Sequence, residues 1–98
     1  FLTMTTGTHA LVLFQAHVIH TIDEPVSAIS VAVSGATTSA STFDRSAQID
    51  GIPLNSKVSL SGHLIINLTP GSNTFKMQYY TTTNTATFER RHLTVIPF

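Results

Sequence analysis

Apolar and polar side chains alternate along most of this chain with a period of two residues. The alternation is strictest from His9 to Ile19, where the even-numbered positions from Ala10 to Val18 are all apolar. Further runs of the same kind are Val26–Ser34, Lys57–Leu68, Asn73–Thr82 and Thr85–Ile96. Because successive side chains of a strand point to opposite faces, each run predicts a half-buried β-strand. No window has the 3.6-residue period of an amphipathic helix.

The segments between these runs carry turn signals. Asp23-Glu24-Pro25 predicts a turn, since proline fixes φ and pushes the preceding residue out of the helical region. Ala36–Ser41 has β-propensity but no large side chain, which fits a short edge strand or an extended loop. Phe43–Pro53 predicts a loop because it holds two turn dipeptides and a proline. Gly62 stands where a large residue is expected and predicts a bulge or a bend between two sheets.

The last third of the chain, His63 to Phe98, predicts closing strands arranged as a β-meander. The inward positions of the final strand begin in the register of Phe88 and end in that of Leu93 and Val95, unless Ile96 is the inward residue. One extra residue exchanges the faces of a strand. We therefore expect a bulge around Glu89–His92.

Five to eight strands without helices predict an all-β fold, an antiparallel β-sandwich or jelly roll. We expect residues 1–8 to form a polar, Thr-rich arm and residues 9–98 to form one sandwich domain. The chain has 98 residues. A domain of this size buries only about 60 to 70% of its unfolded surface. Its core is therefore modest, and its stability can depend on partners.

The composition argues against several classes of function and indicates none directly. Charged residues are 10% of the chain, and the formal net charge is zero. The five basic residues form no stripe, so we expect neither nucleic-acid binding nor attraction to an acidic membrane surface. Near-zero charge gives little repulsion between copies, which favours a chain that is normally part of an assembly. The chain has no cysteine, so it forms neither disulfides nor thiolate metal sites. It begins at Phe1 rather than Met, so we expect a processed product or a part of something longer.

The residues that can carry chemistry are poorly arranged for it. The five histidines invite a metal site, but His17 and His20 are three apart on a strand and so point to opposite faces. We interpret them as partly buried or interface histidines. The acidic residues signal no catalytic pair, and no serine lies in a nucleophile elbow. We therefore expect no enzyme activity, no metal and no cofactor.

Two groups of residues are candidates for contact with other molecules. The candidate patch for a sugar or protein ligand is Tyr80 with Gln78, although Tyr80 also fits a surface packing role. The charged cluster Glu89–His92 fits either a solvent-facing bulge or a subunit contact, in which an arginine reaches Glu24, Asp44 or Asp50 of a neighbour. The candidates for a subunit interface are Leu11, Leu13, Ile19, Ile65, Arg90 and Arg91. The four apolar members of this set also fit an ordinary core.

Three segments carry a resemblance to a known class of domain. They are Val33–Thr38 (VSGATT), Leu68–Phe75 (LTPGSNTF) and Thr85–Phe98 (TATFERRHLTVIPF). In these turns and closing strands the chain resembles small jelly-roll or tumour-necrosis-factor-like β-domains on tailed-bacteriophage virions. The resemblance implies a homotrimer at the virion surface, or otherwise extracellular, that contacts other virion proteins such as the major capsid protein. Such units are capsid decoration (cement) proteins, head fibres or tail-fibre tips.

Two functions follow as hypotheses. In the first, the chain is a structural virion accessory protein, a capsid decoration or fibre protein that acts through subunit contacts. In the second, it is a receptor- or carbohydrate-binding tip of a phage fibre, for which Tyr80, Gln78 and the loop from Phe43 to Asp50 are the candidates. At 98 residues the chain is short for the complete tumour-necrosis-factor-like fold.

Overall fold

The structure is a computed structural model that describes residues 1–20, 26–42, 45–50, 57–81 and 86–98. Within these ranges the regular structure consists of seven β-strands. In chain order they are β1 (Leu2–Thr6), β2 (His9–His20), β3 (Val26–Gly35), β4 (Ser46–Asp50), β5 (Lys57–Asn67), β6 (Gly71–Thr81) and β7 (Ala86–Pro97). The predicted turn at Asp23–Pro25 lies outside the described residues.

The strands form two antiparallel sheets. One has the order β1-β6-β3-β4 and the other the order β5-β2-β7. The even-numbered side chains of β2, from Ala10 to Val18, are buried and meet Ile29, Val31 and Phe75 of the opposite sheet. Alternation thus places one face of each strand in a shared core, and the predicted all-β antiparallel sandwich is confirmed.

The predicted β-meander is wrong. The last three strands belong to alternate sheets: β5 and β7 flank β2, whereas β6 lies between β1 and β3. A meander requires consecutive strands to hydrogen bond to one another. Here the connection after Asn67 carries the chain from one sheet to the other, so β5 and β6 contribute apolar side chains to the core from opposite sheets. Periodicity detects which face of a strand is apolar, but not which strand lies beside it.

Gly62 has a packing role that differs from the predicted bulge or bend. The β2–β5 register runs without a shift from His9 opposite Asn67 to Ile19 opposite Lys57. Gly62 lies opposite Phe14, and a Cβ atom added to it would be 2.6 Å from Cζ of the Phe14 ring. The phenyl ring of Phe14 therefore occupies the space that a side chain at position 62 would fill.

The predicted bulge in the last strand is confirmed. Gln15 lies opposite His92 and His17 opposite Glu89, so that Arg90 and Arg91 together face a single residue of β2. Arg90 has a φ of 51°, which places it in the left-handed region. The extra residue brings Phe88 on one side of the bulge, and Leu93 and Val95 on the other, into contact with the core.

Two segments that were expected to be irregular contain strands. In the N-terminal arm, Leu2–Thr6 forms β1 and pairs with Gly71–Phe75. In the predicted loop, Ser46–Asp50 forms β4 and pairs with the start of β3. The loop prediction was wrong because the turn dipeptides lie at the ends of a five-residue strand, whose Ala47 and Ile49 pack against the core. In Ala36–Ser41, an isolated bridge joins Ser39 to Val33.

The buried side chain of Asn73 joins the turns at one end of the sandwich. Its Nδ2 donates to Thr6 Oγ1 (2.8 Å) and to the Thr69 carbonyl (3.1 Å). Its Oδ1 accepts from the Thr37 amide (2.8 Å). Gly35, with a φ of 104°, approaches this turn so closely that an added Cβ would be 2.5 Å from the Ser72 carbonyl oxygen. The segments VSGATT and LTPGSNTF are therefore two sides of one hydrogen-bonded junction.

Candidate functional site

The outer face of the three-stranded sheet carries an exposed group of large apolar side chains. Leu11 of the central strand lies opposite Ile65 of β5 on one side and Ile96 of β7 on the other. Leu13 is the next outward residue of β2, and Phe98 follows β7. The exposed fractions are 68% for Ile65, 49% for Ile96, 40% for Leu13 and 63% for Phe98, whereas Leu11 is half-buried. We call these five residues the apolar patch.

The apolar patch has both projecting side chains and a hollow. The Phe98 ring stacks on His9 with a centroid distance of 5.6 Å, and backbone hydrogen bonds join the two residues in both directions. Beside Leu13 the same face has a hollow of about 280 Å³, flanked by His63 and His92. Projecting side chains and a hollow on one surface are the features that allow two copies of a face to interlock.

The opposite end of this outer face is polar. Nζ of Lys57 lies 2.7 Å from Oε1 of Glu89, so this ion pair spans the sheet from β5 to β7. The Lys57 ammonium, through close polar contact and through its charge, lowers the pKa of the Glu89 carboxyl below its usual value. The two side chains are 47% and 37% exposed. The ion pair therefore limits the apolar patch to one half of the sheet.

Three of the predicted interface residues, Leu11, Leu13 and Ile65, come together in the apolar patch. Ile19 lies apart from them, at the polar end beside Lys57. Sequence reasoning missed Ile96 and Phe98. Their signal was present: once the bulge brings Leu93 and Val95 inward, the alternate positions 96 and 98 must face outward.

The two arginines of the bulge separate in the structure. Arg90 is exposed. Arg91 lies over the ring of Tyr79, 5.7 Å from the centroid, with its Nη1 3.5 Å from the tyrosine oxygen. Tyr79 in turn packs on Phe88 at 4.9 Å between centroids, so this contact links the two sheets within one chain. Of the carboxylates proposed as partners, Glu24 and Asp44 lie outside the described residues, and for Asp50 only the backbone is described.

The outer face of the four-stranded sheet carries a groove of about 550 Å³. Its floor consists of small residues of β3. Ala28 lies opposite Tyr80 and Ser30 opposite Gln78, with Gln48 and Ser46 as their partners on β4. Small side chains on a central strand between larger ones on its neighbours leave a trough along that strand. The predicted ligand residues Tyr80 and Gln78 therefore lie together along one wall.

Ser41 and Thr42, in the described part of the connection from β3 to β4, line one side of this groove. Ser41 donates from Oγ to Oε1 of Gln78, which places it against the β6 wall. Arg45 braces the segment: its Nη2 donates to Ser39 Oγ (2.9 Å) and to the Ala40 carbonyl (2.6 Å). The Arg45 carbonyl accepts from Ser30 Oγ at 2.6 Å. No local pattern in the chain indicates that Ser30 and Ser41 lie beside Tyr80.

Among the described residues, no group of three or more His, Asp or Glu side chains is placed to hold a metal ion. Within the same ranges there is no helix with the length and apolarity that a membrane span requires. Comparison of the chain with family models, with curated proteins and with solved structures found no match. The candidate sites among the described residues are therefore the outer faces of the two sheets.

Proposed function

We propose that this chain is a structural protein that assembles with copies of itself through the apolar patch. The observation that carries the proposal is the exposed row formed by Ile65, Leu11 and Ile96 across three neighbouring strands. Monomeric proteins rarely expose contiguous apolar surface of more than a few hundred Å², and larger patches mark interaction sites. Burying this row would stabilise an assembly because its side chains leave water.

The size of the face supports a second copy as the occupant. Three strands about 4.8 Å apart and about eleven residues long give the whole outer face a planar area of roughly 500 Å², of which the apolar patch takes about half. Side chains that stand up from the plane raise the accessible area of the whole face toward the ~800 Å² that each partner contributes to a standard interface, so the polar half of the face would form part of its rim. Each copy carries both the projecting Ile65 and the hollow beside Leu13, so the projection of one copy can enter the hollow of the next around a closed ring.

We propose that this assembly is part of a virion. The resemblance to small phage β-domains, the formal net charge of zero and the Thr-rich strands support a capsid decoration or fibre protein. In that role the domain acts mechanically, by holding subunits together at the virion surface. We propose a homotrimer, in which each copy turns its apolar patch toward a common three-fold axis, bound to other virion proteins such as the major capsid protein.

Sedimentation velocity of the wild-type chain and of the Ile65→Lys variant tests the assembly step. We expect a trimer for the wild type and a monomer for the variant, because a lysine at the patch would bury an unpaired charge. Gln48→Lys is the control, since it adds the same charge to the outer face of the other sheet. A wild-type monomer at micromolar concentration would refute the proposal, as would equal dissociation of the two variants.

The virion step has its own test. Antibody labelling of purified particles, with intact capsids compared with capsids stripped of this protein, would locate the chain and measure its effect. We expect labelling of the particle surface and lower resistance of the stripped capsids to heat or osmotic shock. Absence of the chain from particles would contradict the virion proposal without affecting the assembly test.

A further inference from the structure

A second surface of this domain has a chemistry that self-assembly does not use. The groove on the four-stranded sheet faces away from the apolar patch, and its volume of about 550 Å³ lies within the range of ligand sites. Its described lining includes one ammonium group, Lys76, and no carboxylate. Most of its polar groups are hydroxyls and amides, which can both donate and accept hydrogen bonds.

We propose that this groove binds an oligosaccharide. A sugar ring has an apolar C–H face and a rim of hydroxyl groups. Tyr80, 46% exposed at the wall, offers an aromatic surface to such a face. Ala28 and Ser30 form a low floor that is itself almost fully buried, at 2% and 6% exposed, so a ring would contact mainly the walls of the groove.

The polar groups of the groove fit the hydroxyl rim. Because Ser41 donates to Oε1 of Gln78, the amide NH₂ group of Gln78 is the part that remains to donate to a ligand. Lys76 lies one outward position further along the same strand and can donate to a hydroxyl or to the carboxylate of an acidic sugar. An extended peptide is a poorer fit, since a peptide would pair with a strand edge, whereas this groove lies on a sheet face.

The test combines a glycan array with nuclear magnetic resonance on the full chain. The array carries neutral and uronic-acid oligosaccharides, and a panel of extended peptides is titrated beside it. We expect an oligosaccharide to bind and to shift the amide signals of Ala28, Ser30 and Gln78. Both sugar classes are compatible with the proposal, and Lys76→Met separates them by weakening acidic ligands more than neutral ones.

Variants assign the binding to the groove. Tyr80→Ala should weaken binding roughly tenfold, the loss expected for one aromatic contact. Gln78→Ala should weaken it as well, whereas Thr5→Ala, exposed on the same outer face but on β1 and away from the groove, should not. The proposal is overturned if no oligosaccharide binds, if the shifts lie elsewhere, if peptides bind instead, or if Thr5→Ala has the same effect as Gln78→Ala. The wild-type shifts decide the matter even if a variant fails to fold.

Discussion

Replacement of the buried Asn73 is the sharpest test of the turn junction. Asn73→Ala removes three hydrogen bonds, to Thr6, Thr37 and Thr69, which lie on three different segments. A hydrogen bond of this kind contributes about 0.5 to 1.5 kcal/mol, and buried partners left without one cost more. We therefore expect a loss of about 3 kcal/mol in the free energy of unfolding. For a chain of this length that corresponds to a fall in melting temperature of roughly 12 to 24 °C.

Urea and thermal unfolding followed by circular dichroism measure this loss. Because an assembly has a concentration-dependent melting temperature, all variants are compared at one protein concentration. Asn67→Ala is the matched control, since Asn67 is exposed on β5. Asn73→Asp keeps the acceptor for Thr37 but replaces both donors with a carboxylate at a fully buried position, so it should lose at least as much stability as Asn73→Ala. A loss below about 1 kcal/mol for Asn73→Ala would contradict this role of Asn73, because three hydrogen bonds at about 0.5 kcal/mol each already exceed that value.

Two further predictions concern the three-stranded sheet. Gly62→Ala should lower the melting temperature, because the new Cβ would clash with the Phe14 ring at 2.6 Å. Phe14→Leu should relieve this defect when the two substitutions are combined. An unchanged melting temperature for Gly62→Ala would contradict the close approach of Gly62 to Phe14. The pKa of Glu89 is lowered in the folded chain by Lys57, so the stabilisation from this pair is present above the usual carboxyl pKa and is lost as pH falls through the lowered one. Glu89→Gln should therefore reduce the loss of stability on acidification, and identical pH profiles for the two proteins would rule this out.

The regular parts of the fold were predictable because they depend on local alternation. β2 satisfies period two over its whole length, and each inward position from Ala10 to Val18 is buried. The bulge at Arg90 could also be located, since the two halves of β7 had incompatible registers. Strand neighbours could not be predicted in this way. Strand pairing depends on whether a connection stays in one sheet or crosses to the other. The residues that follow Asn67 do not indicate which sheet the next strand joins.

For the candidate sites as well, the features that depend on one local segment could be predicted and those that depend on strand pairing could not. Leu11, Leu13 and Ile65 could be chosen because apolar residues on the outward side of a strand violate the expected pattern. The groove could be identified only by its outer residues Tyr80 and Gln78. Its floor and its far wall depend on Ser30 lying beside a distant strand, which is a property of the fold rather than of any local segment.

The most direct test of assembly through the apolar patch is an intermolecular distance measurement with single spin labels. The chain has no cysteine, so Asn67→Cys and Gln48→Cys each provide one label, the first at the rim of the patch and the second on the opposite outer face. We predict a short, well-defined distance between the labels at position 67 of neighbouring copies, and longer, broader distances at position 48. The absence of intermolecular coupling at position 67, or a shorter distance at position 48, would contradict assembly through the apolar patch.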